Sequence, residues 1–216
     1  MKSILFFGDS NTWGFNARTG GRFGLETRYT GRLRAQFEGR YEIIESGLNG
    51  RTTAYDDGYD GWSSGSKALP MILKTHDPLD LVVIMLGTND LKARLGLTVD
   101  DVVKGMRRLL HIVQSAGMWN LRARPEVLVV APMLLNGTVL PACPTGEVYD
   151  AGSVQRSSQL GPAYEALCAD KSIRCCCFNA GQLGPVTSAD GVHMSADDHR
   201  RLADALAAIL PAILGE

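Results

Sequence analysis

A serine at the end of a hydrophobic run, in FFGDSNTWGF over residues 6–15, can serve two kinds of chemistry. The run breaks within three residues into Gly8, Asp9 and Ser10. Such a turn either cradles a phosphate or presents Ser10 as a nucleophile, and residues elsewhere decide between the two. A nucleophilic serine needs a base to take its proton and a third group to orient that base. Of the four histidines, His193 lies in SADGVHMS, with Asp190 three residues before it. An Asp-x-x-His loop can fold back so that the carboxylate reaches Nδ1 and Nε2 stays free to face a serine. Taken alone, the same spacing also suits a cap or a surface arrangement.

Acyl chemistry further requires donors aimed at the oxyanion of a tetrahedral intermediate. The tetrapeptide GTND, residues 87–90, follows the apolar run LVVIML directly. Asn89 therefore stands where its side-chain amide can donate, although an Asx turn capping the next segment accounts for Asn89 and Asp90 equally well. In ESGLNGRT, Gly47 and Gly50 follow another apolar run, where glycine either lets backbone approach a ligand or makes a tight turn. Trp13 and Phe15 either narrow an acyl pocket or pack in the core; with Asp9 they are the candidates for contact with substrate.

Strands and helices must bring these residues together. Five strand-like runs, SILFFG, YEIIESG, LVVIMLG, EVLVVAP and IRCCCFNA, alternate with helical patterns, which predicts an α/β fold with a mainly parallel five-stranded sheet. Ligands of such sheets gather beyond the C-terminal ends of the strands, which is where Ser10, Gly47, Gly50 and Asn89 fall. The best helical pattern is TVDDVVKGMRRLLHIVQSAG, with Thr98 as N-cap and Gly117 as stop. The last helix starts near Ser195, with Asp198 completing a capping box and Pro211 ending the regular part. Thr30–Phe37 and Ser66–Lys74 are weaker helical patterns containing Gly31 and Pro70. Residues 54–66 and 133–157 read as two long loops.

The 216 residues suit one domain spanning 1–216, and the formal charge of -1 leaves no surplus for gripping nucleic acid or an anionic membrane. A small neutral partner fits better. No apolar run reaches the length of a membrane span or a secretory signal, so the expected address is the cytoplasm. Five cysteines, Cys143, Cys168, Cys175, Cys176 and Cys177, lack metal-ligand spacing and read as reduced thiols, the last three as small hydrophobes in a buried strand. Asp56, Asp57 and Asp60 do not match a calcium loop and read as a solvated turn. Tyr55, Tyr59 and Trp62 would suit a sugar-binding face, a pocket rim or a subunit contact. No metal or other cofactor is expected.

Four blocks in order, GDS near the start, a glycine after the second strand, GTND after the third and DGVH near the end, resemble the SGNH hydrolases, also called GDSL esterases. GDSNTWGF, IIESGLNGRT, HDPLDLVVIMLGTND and DGVHMS are similar to the bacterial arylesterase and acyltransferase subgroup. The resemblance implies a three-layer, flavodoxin-like α/β/α fold and a serine esterase acting on a small ester, with transesterification as a side activity and homo-oligomeric assembly. It implies Ser10 as nucleophile and backbone donor, Gly50 as second backbone donor, Asn89 as side-chain donor, His193 as base and Asp190 as its orienter. Asn11 stands where the GDSL name has Leu, and Glu45 where many members carry Asn. The rival is a flavodoxin-like nucleotide- or flavin-binding module with phosphate at GDSNTWG, which explains none of the other three blocks.

Overall fold

Five runs of aliphatic and aromatic residues form the strands β1 (Lys2–Gly8), β2 (Tyr41–Gly47), β3 (Leu81–Met85), β4 (Glu126–Ala131) and β5 (Cys176–Asn179). The computed structural model describes residues 1–58, 61–120, 124–139 and 148–216. All strand neighbours run parallel, in the order β2-β1-β3-β4-β5. The chain moves from β1 to one edge with β2 and then crosses to the other side with β3. That reversal opens a crevice beyond the C-terminal ends of β1 and β3. Gly8 pairs with both Gly47 and Met85, so the segments after these three strands leave the sheet at one level.

Among the described residues, six helices accompany the sheet: α1 (Ser10–Trp13), α2 (Tyr29–Gln36), α3 (Gly65–His76), α4 (Val99–Gln114), α5 (Ala151–Cys168) and α6 (Ala196–Ile213). Side chains alternate across each strand. Leu5, Phe7, Val82, Ile84, Val127 and Val129 pack with Leu69 and Leu73 of α3, Met106 and Leu109 of α4, and Leu160 and Tyr164 of α5. Ile4, Phe6, Leu81, Val83, Leu128 and Val130 pack with Leu33 of α2 and Leu202, Leu206 and Leu210 of α6. The result is the expected three-layer α/β/α sandwich, with the central strands buried on both faces, as parallel sheets require.

The expected caps form. Thr98 and Asp101 make a reciprocal capping box on α4, and Ser195 and Asp198 make one on α6. The expected stops fail. Helix α4 ends at Gln114 because Ser115 is already extended, and Gly117 lies in the 3-10 turn that follows. Helix α6 continues through Pro211 to Ile213, so the proline costs one carbonyl its donor and the helix runs on for only two more residues.

The expected loop over 133–157 contains the start of α5, capped reciprocally by Asp150 and Ser153. Its Gly, Ser and Pro content blurs the helical period, while Ser153, Ser157 and Tyr164 are buried by tertiary contacts. The cysteine-rich strand is also less buried than expected. β5 has only β4 as a neighbour, so Cys176 is exposed and Cys175 and Cys177 are half-buried. Cys143, Tyr59 and Asp60 lie outside the described residues. Among the described residues, no helix is long and apolar enough to cross a membrane.

Candidate active site

β1 ends at Gly8, and the chain turns at once into the single-turn helix α1, which starts at Ser10. Asp9 caps it, its carboxylate accepting the Asn11 N–H at 2.9 Å. Ser10 is 6% exposed, and the approach of another loop sets what its hydroxyl meets. That loop, between the end of β5 and α6, carries Asp190 and His193. His193 Nε2 lies 3.0 Å from Ser10 Oγ, and His193 Nδ1 lies 2.6 Å from Asp190 Oδ2. The other Asp190 oxygen accepts bonds from Ser188 Oγ at 2.7 Å and from the Val192 and His193 N–H groups, each at 3.0 Å.

These bonds settle the electrostatics of the pair. Burial works to raise the Asp190 carboxyl, but the imidazole, the two N–H groups and Ser188 outweigh it and hold the group well below the usual carboxylate range. An ionised Asp190 keeps the proton of a neutral imidazole on Nδ1. Nε2 is then an acceptor facing the Ser10 hydroxyl, the arrangement that lets a histidine take a serine proton.

Asn89 and Gly50 complete the cleft. Asn89 Nδ2 donates to the Arg51 carbonyl at 3.1 Å, which uses one amide hydrogen and leaves the other for a ligand. Gly50 adopts φ +82, where a side chain would be strained, and an added Cβ would meet nothing within 4 Å. The N–H groups of Gly50 and Ser10 have no hydrogen-bond partner among the described residues. Gly47 serves the turn instead of the cleft: a Cβ there would come within 2.1 Å of the Trp13 nitrogen, so the end of β2 and α1 can touch only if this residue is glycine.

The cleft holds about 250 Å³. Ser10, His193, Asn89 and Gly50 line it together with Phe15, Val192, Val148, Tyr149, Asn49 and Lys92. Phe15 is a wall, its ring centroid 4.4 Å from that of His193. Trp13 does not line the cleft; its ring stands behind Phe15, centroids 6.5 Å apart, with the Arg22 guanidinium 5.2 Å from its own centroid. Asp9 is buried beneath the turn, and burial pushes its carboxyl up to about 6 against the Asn11 N–H and the nearby His193, Arg51 and Lys92. Of the three candidates for substrate contact, the structure brings only Phe15 to the cleft.

Several supporting residues were hidden from sequence reasoning. Asn11 reaches across 181 positions: its Nδ2 donates to the Val192 carbonyl at 3.3 Å and its Oδ1 accepts the Met194 N–H at 2.7 Å. These bonds bracket His193 on both sides. Asp90, fully buried beside Asn89, accepts the Thr53 N–H at 3.0 Å and the Thr53 hydroxyl at 2.5 Å, tying the segment after Gly50 to the turn after β3. Burial raises the Asp90 carboxyl to about 6 despite those bonds. Asp57 does not lie in the solvated turn expected from sequence. It is buried between Lys92 at 2.5 Å and Arg94 at 2.7 Å, and these cations overcome the effect of burial to hold its carboxyl low. The expected pattern missed this because both partners lie beyond the next strand. Among the described residues, no group of three or more His, Cys, Asp or Glu side chains is placed to hold a metal ion.

Comparison with known proteins shows which family the chain falls in. The model of the GDSL-like lipase/acylhydrolase family matches residues 6–201. The chain belongs to that family. Among solved structures, it is 37% identical to a carbohydrate acetylesterase family member from Sinorhizobium meliloti, with all of both chains covered and a TM-score of 0.91. It is 36% identical to an inhibitor-bound aryl esterase from M. smegmatis, covering 99% of this chain and 100% of that one, with a TM-score of 0.90. None of the curated proteins matches. As a GDSL-family acylhydrolase with acetylesterase and aryl esterase neighbours, the protein is a carboxylic ester hydrolase.

Proposed function

We propose that the protein is a serine esterase that hydrolyses short-chain, acetyl-type esters through an acyl-enzyme on Ser10. The observation that carries this reading is the unbroken line Asp190, His193, Ser10, which opens into a cleft of about 250 Å³. Ser10 Oγ attacks the ester carbonyl as its proton passes to His193 Nε2. The resulting oxyanion is met by the N–H groups of Ser10 and Gly50 and by the free hydrogen of Asn89 Nδ2. His193 then returns the proton to the departing alcohol, and the acyl group stays on Ser10. Water, activated by His193, repeats the sequence and releases the acid. An alcohol that enters in place of water would leave with the acyl group, which makes transesterification the side reaction of the same intermediate.

Phe15, Val192, Val148 and Tyr149 supply the apolar lining, while Asn49 and Lys92 add polar groups. The acetylesterase and aryl esterase neighbours support the acetyl-type assignment. A panel of aryl esters of increasing acyl length tests it. We expect kcat/KM to be highest for acetyl or propionyl and to fall steeply beyond, because each extra methylene must displace packed side chains. A flat profile to octanoyl would remove the short-chain assignment while leaving the esterase reading in place.

Two variants test the supporting geometry. Asn89→Ala should slow turnover by roughly 100- to 1,000-fold, the usual cost of one lost oxyanion donor; unchanged turnover would take Asn89 out of the mechanism. Asn11→Ala removes both bonds that bracket His193 and should lower kcat by about 100-fold, the scale associated with a displacement of about 1 Å. KM should stay near the wild-type value, since Asn11 does not line the cleft. A full kcat would show that the His193 loop holds its place without Asn11.

A further inference from the structure

Arg51 is 4% exposed and does not line the cleft, although Gly50 directly before it does. The central carbon of its guanidinium lies 4.2 Å from the Phe7 ring centroid, and its Nη1 donates to two carbonyls, Gly8 at 2.8 Å and Ser46 at 2.5 Å. No carboxylate bonds to it among the described residues. Burying a cation in this way is costly, and an apolar side chain of similar length would serve packing better. What the guanidinium gains is a grip on two strand ends.

Those two ends lead into the active site. Gly8 closes β1 just before Asp9 and Ser10, and Ser46 is the last residue but one of β2. The Gly8 carbonyl also accepts the Leu48 N–H at 3.1 Å, and the Leu48 carbonyl accepts the Arg51 N–H at 3.1 Å, which closes the turn over residues 48–51 with Gly50 inside it at φ +82. On its other side, the Arg51 carbonyl accepts Asn89 Nδ2 at 3.1 Å. One residue therefore meets all three donors of the oxyanion: its side chain holds the strand end that leads to Ser10, its N–H closes the turn that presents Gly50, and its carbonyl orients Asn89.

We propose, on the acyl-enzyme reading given above, that Arg51 is a positioning residue whose guanidinium fixes the spacing of the Ser10 N–H, the Gly50 N–H and Asn89 Nδ2. Such donors act by standing in advance where the negative charge will form. Without the guanidinium, one bond from the turn to Gly8 remains among the described residues, that of the Leu48 N–H. The Gly50 N–H and the Arg51 carbonyl would then shift together, and Asn89 with them. The oxyanion exists only in the transition state and the intermediate, so the loss falls on kcat and spares KM.

The test compares Arg51→Met, which keeps the length of the side chain without its donors, with Arg51→Lys, which keeps the charge as a point donor. With an aryl acetate, kcat should fall by about 100-fold in Arg51→Met, the scale of a displacement of about 1 Å, while KM stays near the wild-type value. Arg51→Lys should recover part of that loss, because an ammonium can reach one of the two carbonyls. Inactivation by a serine-directed phosphonate, whose oxygen takes the oxyanion position, should slow by the same factor as kcat/KM. In an Asn89→Ala background, Arg51→Met should cost less than in the wild type, since one of the donors it displaces is already gone. The role of Arg51 is overturned if either variant, shown to be folded by thermal unfolding, keeps full kcat, if the loss falls on KM, or if the costs of Arg51→Met and Asn89→Ala multiply in full. Arg51→Lys decides the matter if Arg51→Met does not fold. These outcomes concern Arg51 alone when Ser10→Ala is inactive, whereas an active Ser10→Ala protein overturns the esterase mechanism itself.

Discussion

Ser10→Ala is expected to lower kcat for an aryl acetate by about 10⁶-fold, the scale of loss when a catalytic serine is removed from a triad. The methyl group cannot attack the carbonyl, and the remaining donors only bind and polarise the ester. The fold should be unaffected. The Ser10 hydroxyl bonds to His193, alanine is a better helix former than serine, and the Asp9 cap does not involve the side chain of residue 10. Turnover and thermal unfolding measured on one preparation separate the two effects. A folded Ser10→Ala protein that keeps its activity would sink the acyl-enzyme mechanism. Labelling by a serine-directed phosphonate gives an independent readout: the wild type should gain one adduct on Ser10, and the variant none.

The strands were legible because buried parallel strands are continuous apolar runs, and β1, β3 and β4 are nearly uniform. Ser10, Asn89, Asp190 and His193 were legible because each sits at a strand end or just before a capped helix, where local pattern and chemistry coincide. Helix α5 was not, since its glycines, serines and Pro162 dilute the helical period and its stability comes from burying Tyr164 and Leu160 against distant strands. Asn11 shows the limit most sharply. It stands where the family's name has Leu, and nothing local marks it, yet its side chain holds two backbone groups nearly the whole chain away. Asp57 escaped for the same reason, since its partners are Lys92 and Arg94. Contacts of that range leave no periodic trace in sequence.

Asp190→Asn should cost about 10⁴-fold in kcat while changing the side chain by a single atom, the effect known for the equivalent change in a Ser-His-Asp triad. The three donors already on Asp190 Oδ1 fix how the amide must sit: Ser188 Oγ and the Val192 and His193 N–H groups need an acceptor, so the amide oxygen takes that place. The NH₂ group then faces His193 Nδ1, which must become the acceptor. The imidazole proton moves to Nε2, and the nitrogen facing Ser10 can no longer take a proton. KM should change little, because Asp190 does not line the cleft. Stability carries a second, separable signature. The folded-state carboxyl lies below its ordinary value of 3.8, so its interactions stabilise the fold above that pH and are lost as the pH falls through the folded value. The variant lacks this contribution, so its Tm should fall short of the wild type near pH 7, with the gap narrowing as the pH falls below 3.8. A gap that stays constant with pH would mean that the carboxylate charge does not anchor the loop. Near-wild-type kcat in a folded Asp190→Asn protein would mean that His193 is oriented by its ring packing on Phe15 and the Asn11 bracket, with Asp190 no more than a loop cap.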